Sequence, residues 1–308
     1  MQLFSKIKDE VFFARKMIQY RYGPRGWYRY IKHKFFPVFL TRRAKPISLP
    51  VNTDFEWHIL SHKIGLWMTY WTIRSFMHQS GLVPRVIVHD DGTIDAETAK
   101  MFESKFANVT VLLRAEANRQ FSQLQLPEII HRARKSKNFY ILMFLDHFFL
   151  SNSKRVMVSD NDVLFFDRPG EIIDFMVGRS SVDAMYCGGW DEGRNELPVD
   201  DEYKNKYRDV VDHAGRLNSG LMIFDKSKIP VERIAEYFEH ATDLDDHLIE
   251  QSGWGMILSQ VPHAFFPEET YRLRGGVEKG VIFKHFTKPR RHEFFAYGID
   301  EVRKRSGM

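Results

Sequence analysis

From residue 55 onward the chain alternates between segments that read as strands and segments that read as helices, and that order restricts the folds open to it. FEWHILSHK (55–63) reads as a strand, and GLWMTYWTIRSFMHQSG (65–81) as a helix ended by Gly81. PRVIVHDDG (84–92) is a second strand and turn, DAETAKMFESKF (95–106) a helix with Asp95 as N-cap, and NVTVLLR (108–114) a third strand. A long helical stretch around 123–151 leads to a further strand at 156–158. A β-α-β-α-β order predicts a mostly parallel central sheet with helices on both faces. In such sheets ligands bind beyond the carboxyl ends of the strands. SHK (61–63), HDD (89–91) and SDND (159–162) then converge on one rim.

Charge separates the two parts of the chain. Residues 1–45 hold twelve Lys/Arg against Asp9 and Glu10, a net of +10, whereas the remainder has 33 basic and 38 acidic residues, a net of −5. Residues 1–19 read as a helix whose apolar stripe is Leu3, Ile7, Val11 and Ile18, with Phe4 and Phe12 beside it. Residues 21–46 are basic, aromatic and broken by Gly and Pro. We read 1–46 as a basic amphipathic N-terminal appendage and 47–308 as the catalytic domain. Nucleic acid is a poor partner for so acidic a body. An anionic membrane surface, met through residues 1–45 with Trp27, Tyr28 and Tyr30 at the interface, suits the basic segment. The single Cys187 excludes an intramolecular disulfide, and no apolar run is long enough to span a bilayer. The expectation is a cytoplasmic protein, peripheral on the inner face of a membrane.

In VMVSDNDVLFFDRP (156–169) an apolar strand runs into Ser159-Asp160-Asn161-Asp162 and back to apolar residues. Ionised carboxylates beside a core are costly unless paired or bound to a cation. Two of them at i and i+2 project to the same side of an extended chain. Mg²⁺ and Mn²⁺ take such oxygen ligands and leave positions for the phosphates of a substrate. The plainer alternatives are a capped turn or an arginine pair.

This segment resembles the D-x-D strand of GT-A-fold glycosyltransferases, in particular the glycogenin-like and lipopolysaccharide galactosyl- and glucosyltransferase group. LNSGLMIFDKSKI (217–229) is similar to their "N-[SA]-G-[LV]" strand, IEQSGWGMILSQ (249–260) to their "D-Q-x-x-[LF]" helix, and FKHFTKP (283–289) to their C-terminal "H-x-x-G-x-x-K-P". The four segments keep family order. The chain departs from the pattern in having no glycine between His285 and Lys288, and Glu250-Gln251 in place of Asp-Gln.

The resemblance implies a GT-A-type nucleotide-diphospho-sugar transferase fold. It implies a hexosyltransferase that takes a nucleoside-diphosphate sugar and a glycan, lipid or protein hydroxyl acceptor. Asp160, Asp162 and His285 would hold Mn²⁺ or Mg²⁺, and Asp90, Asp91, Ser159 and Lys288 would contact the donor, with Arg290 and Arg291 as further cations for its diphosphate. Glu250, Gln251 and Asn218 would face the reacting sugar, together with Ser219 and Gly220; Gly220 is equally placed for a strand bulge. The histidine-bearing pattern suggests retention; inversion would require a base, with Glu250 or Asp191 as candidates. Two other readings stay open: an inactive GT-A-like binding module, and a sugar-1-phosphate nucleotidyltransferase. The latter class carries a Gly-rich loop after the first strand, which SHKIGLW is not.

Overall fold

Strands β1 (Val51–Ser61), β2 (Val83–Asp90), β3 (Val109–Leu112) and β4 (Arg155–Ser159) run parallel, side by side in the order β3-β2-β1-β4. The structure, a computed structural model, describes residues 2–36, 51–188 and 197–307. Register pairs Ser61 with Asp90 and Ile59 with Ser159, so the strand ends named above do share one rim. Beyond β4 the sheet continues through β7 (Leu217–Asp225), β6 (Ala184–Gly188) and β8 (His263–Phe265), making seven strands. Strand β7 is antiparallel to both of its neighbours. A second, three-stranded sheet forms from β5 (Val163–Phe165), β10 (Phe283–His285) and β9 (Tyr271–Arg272).

Period-2 alternation puts a core on each face of the large sheet. Met157 of β4 joins Trp57, Phe76 and Ile223 on one side, whereas Val156 and Val158 join Phe144, Phe224 and Trp254 on the other. Helices cover both cores, as expected of this strand order. Gly81 ends the 66–80 helix at φ 68°, a left-handed position that suits glycine, and its N–H bonds the Met77 carbonyl. The long helix expected over 123–151 is two helices, Glu128–Arg134 and Phe139–Phe149. Asn138 restarts the helix by accepting the Tyr140 N–H on its side chain (3.0 Å). Within the apolar run FYILMFLDHFFL (139–150), buried Asp146 pairs with Arg134 (2.6 Å) and Arg114 (3.2 Å).

Helices α1 (Gln2–Gln19) and α2 (Pro24–Phe35) lie against the C-terminal segment. Pro24 opens α2 rather than breaking the chain, because the first turn has no use for its missing N–H. Phe13, Met17 and Tyr30 are core residues, and His33 Nε2 meets Asp300 Oδ1 at 3.0 Å. Tyr30 therefore lies inside the protein and not at an interface with lipid. The side chains of Leu3, Phe4 and Ile7 lie outside the described residues. Among the described residues, no helix is long and apolar enough to cross a membrane.

Candidate metal and sugar-nucleotide site

The two sheets meet at the D-x-D turn. Strand β4 delivers Asp160, whose N–H bonds the Gly220 carbonyl on β7 (3.1 Å). Strand β5 then leaves antiparallel to β10, with Val163 opposite His285, and the Phe286 N–H bonds the Asp162 carbonyl (2.9 Å). That ladder brings the histidine to the aspartates. His285 Nε2 stands 3.1 Å from Asp160 Oδ2 and 3.2 Å from Asp162 Oδ1. These are the only three His, Cys, Asp or Glu side chains among the described residues whose ligand atoms gather closely enough for one ion.

The spacing suits a divalent ion. Neighbouring ligands of an octahedral ion at about 2.1 Å stand about 3 Å apart. The opposite edge of Asp162 is already held, because Arg291 donates to Oδ2 from Nε (2.8 Å) and Nη2 (2.7 Å). The arginine leaves Oδ1 for the site. On the far side of the imidazole, Asn218 Oδ1 accepts the Gly220 N–H (3.1 Å) and lies 3.1 Å from His285 Nδ1. An oxygen that accepts one N–H there receives the other from Nδ1, so Nε2 is directed at the carboxylates. Outer partners of this kind orient ligating histidines.

The electrostatics show a site that calls for positive charge. Burial draws the His285 pKa down, but the Asp162 and Asp160 carboxylates override it and lift the ring to about 10. For Asp162 burial would raise the pKa, and the charges of Arg291 and His285 reverse this and hold it below the usual carboxylate range. A divalent ion held by these three residues would take the place of the imidazolium proton. Two carboxylate oxygens, one imidazole nitrogen and an orienting amide fit Mn²⁺ or Mg²⁺.

Beside this cluster the 249–258 helix contributes Glu250 and Gln251. Ser219 donates its hydroxyl to Glu250 Oε2 (3.0 Å), while its N–H and the Asn218 amide approach Gln251 Oε1 (both 3.4 Å). Glu250 is buried, and burial together with the nearby Asp160 charge lifts its pKa to about 8. It is mostly protonated at neutral pH. Its Oε1 has no hydrogen-bond partner among the described residues. Strand β7 bulges between its pairings to Tyr186 and Cys187, and Gly220 sits in that bulge against the His285 ring. The strand-bulge reading of Gly220 is the one seen here.

The structure thus gathers Asp160, Asp162, His285, Asn218, Glu250 and Gln251 at one place. Other candidates have local duties instead. Asp90 Oδ1 accepts the N–H groups of Gly92, Thr93 and Ile94, and Oδ2 that of Arg114, so its carboxylate closes the turn after β2. Asp91 remains exposed and accepts from Thr93. The Ser159 hydroxyl is buried between the Trp57 indole N–H (2.9 Å) and the Asp160 carbonyl (3.1 Å), a brace between β1 and β4 rather than a donor contact. Lys288 points to Asp9 (3.7 Å), and Arg290 pairs with Glu293 (2.5 Å). Asn161 faces away from the pair, toward Ser61 Oγ (3.3 Å). Asp191 lies outside the described residues. Two neighbours escaped the sequence reading: Arg291 as the partner of Asp162, and Tyr140. The Tyr140 pKa is raised by burial and by the charges of Asp160 and Glu250. Neither has a signature of its own, since each reaches the site only through tertiary contact.

No family profile and no curated protein matches the sequence. Solved structures do resemble it. The galactosyltransferase LgtC, in complex with donor and acceptor sugar analogues, aligns at a TM-score of 0.50 and 13% identity, over 82% of this chain and 95% of that one. The bifunctional glycosyltransferase WbbM aligns at 0.50 and 12%, over 84% of this chain, which spans about half of WbbM (53%). The neighbours are glycosyltransferases, and the chain has their GT-A fold, with its D-x-D pair beyond the fourth strand.

Proposed function

We propose that this protein is a metal-dependent glycosyltransferase. It moves a hexose from a nucleoside-diphosphate sugar to a hydroxyl acceptor, with retention of configuration. One observation carries the reading: a histidine from the C-terminal strand, oriented by Asn218, closes on both aspartates of the D-x-D turn at 3.1 and 3.2 Å. Asp160, Asp162 and His285 would hold Mn²⁺ or Mg²⁺. The ion would offset the negative charge that builds on the departing β-phosphate, where a fixed cation favours the transition state over the ground state.

The chain's own groups prepare that site. Arg291 fixes the Asp162 carboxylate in one orientation. Asn218 fixes the His285 ring, and Ser219 ties Glu250 to the same wall. Retention is the reading that the histidine-bearing pattern suggests, with Glu250, held by the Ser219 hydroxyl, facing the sugar or acceptor oxygen. We further read residues 1–45 as a peripheral contact with an anionic membrane face.

The test is a thermal-shift screen of nucleoside diphosphates with and without Mn²⁺. One diphosphate should stabilise the protein only when Mn²⁺ is present. Asp160→Ala and Asp162→Ala should each lose that shift, while Asn161→Ala keeps it. An undiminished shift in either aspartate variant removes the central assignment. Metal-dependent release of sugar from the matching sugar nucleotide separates an enzyme from an inactive binding module.

A further inference from the structure

Helices α1 and α2 have two faces of opposite character. On the inner side are Phe13, Met17, Tyr30 and His33, all buried. Both acids of the segment are engaged: Glu10 accepts from the Tyr30 hydroxyl (3.0 Å) and pairs with Lys34 (2.6 Å), and Asp9 pairs with Lys288 (3.7 Å). The outer face of α1 exposes Lys8, Val11, Phe12, Arg15 and Ile18 at helical spacing, and that of α2 exposes Arg25, Tyr28, Ile31 and Phe35. None of these positions carries a carboxylate. Of the eleven exposed large apolar side chains among the described residues, eight fall between Val11 and Phe36, so this is a patch and not scatter. Ammonium groups lie against its rings: Lys16 at 5.7 Å from Phe12 and 5.9 Å from Tyr20, and Lys32 at 5.9 Å from Tyr28.

We infer that this outer face docks on an anionic lipid bilayer. Phe12, Ile18, Tyr28, Ile31 and Phe35 enter the headgroup boundary, while Lys8, Arg15 and Arg25 meet the anionic headgroups. Large apolar side chains mixed with basic ones and free of acids suit that partner. A second copy of the same face would set like charges against like in a two-fold interface. From their inner side the two helices also reach the neighbourhood of the candidate site. Phe13, Tyr20 and Tyr22 surround the His292 ring at 5.7–6.4 Å, and His292 follows Arg291, the residue that grips Asp162. Resting on the function proposed above, docking holds the D-x-D rim beside the headgroups, where the acceptor hydroxyl is one carried by the bilayer.

Flotation of the full chain with vesicles tests the docking. Wild-type protein should float with vesicles of mixed phosphatidylglycerol and phosphatidylcholine, much less at high salt, and hardly at all with phosphatidylcholine alone. The apolar variant (Phe12→Ser, Ile18→Ser, Ile31→Ser) and the charge variant (Lys8→Glu, Arg15→Glu, Arg25→Glu) should each float about tenfold less. Both should retain the metal-dependent nucleotide shift, which shows that they are folded. Wild-type protein that stays at the bottom overturns the docking, as do variants that float undiminished. So does a wild-type dimer that the apolar variant dissolves, because the face is then a protein interface. Protein that gives the nucleotide shift without floating leaves the enzymatic reading intact and removes only the docking. Protein that floats without the shift does the reverse.

Discussion

His285 Nδ1 donates to Asn218 Oδ1 at 3.1 Å, and this single bond turns the other ring nitrogen toward both aspartates. Asn218→Ala should therefore weaken Mn²⁺ affinity roughly 10–100-fold, the usual cost of losing an outer partner. Gly220→Ala should act on the same ring from behind, because an added Cβ would clash with Nδ1 and stand 2.5 Å from Cε1. Crowding of that kind costs about 1–3 kcal/mol and displaces the ligand. Titration calorimetry with Mn²⁺ measures both variants. Wild-type affinity in the Asn218 variant would mean that the ring keeps its orientation without the amide, and wild-type affinity in His285→Ala would return His285 to a structural role.

Glu250 is lifted to about 8 by burial and by the Asp160 charge. Between about pH 4.5 and pH 8 the folded protein keeps a proton that the unfolded chain has released. Stability attributable to this residue thus falls as pH rises and is lowest above pH 8. Glu250→Gln preserves an acceptor for the Ser219 hydroxyl without the charge. The variant should match wild type near pH 5 and exceed it near pH 8.5 by about 1–3 kcal/mol. Chemical denaturation at the two pH values decides the matter, and equal stability at both would mean that Glu250 ionises freely.

A second pH effect has the opposite sign. His58 of β1, His89 of β2 and His147 lie buried together, with His58 Nδ1 2.8 Å from His89 Nε2 and both ring nitrogens of His147 without a hydrogen-bond partner among the described residues. Burial lowers all three pKa values, with His89 and His147 well below the ordinary range. The rings stay neutral in the fold, whereas the unfolded chain takes up protons as pH drops through about 6.5. Their contribution is present above that pH and is lost on acidification. His147→Leu should flatten the fall in urea midpoint between pH 7 and pH 5. An unchanged slope would place the acid sensitivity elsewhere.

The strand at 156–158 and the D-x-D turn were legible because each is a run of neighbouring residues whose pattern fixes its own geometry, whereas the Asn-Ser-Gly strand and the Glu-Gln helix were read from their resemblance to GT-A segments. Their convergence could be expected from strand order, since parallel strands end on one rim. What the sequence concealed was use. Asp90 and Asp160 both end apolar strands, but the first carboxylate is taken up by four backbone N–H groups and the second faces the His285 ring. Turn chemistry of that kind depends on the path of the next few residues, which an Asp-Asp-Gly string leaves open. Arg291 was visible as a cation near His285, but its grip on Asp162 spans 129 positions and has no local mark. The helix break at 135–138 was hidden by helix-forming residues on both sides, and Asn138 overrides them as a cap.

The pairing of Val163 with His285 also sets an order of events in biosynthesis. The ribosome makes Asp160 and Asp162 more than a hundred residues before the strand that completes their site. At about 5–20 residues per second, a nascent chain carries the two carboxylates for roughly 6–25 s without His285 or Arg291. The parallel part of the sheet, β1 to β4, has all its strands made by residue 159 and is free to assemble meanwhile. The cluster of Asp160, Asp162 and His285 is thus among the last features the chain completes. A product terminated near residue 270 would keep most of the sheet and reach the cell with an aspartate pair that nothing in the chain neutralises.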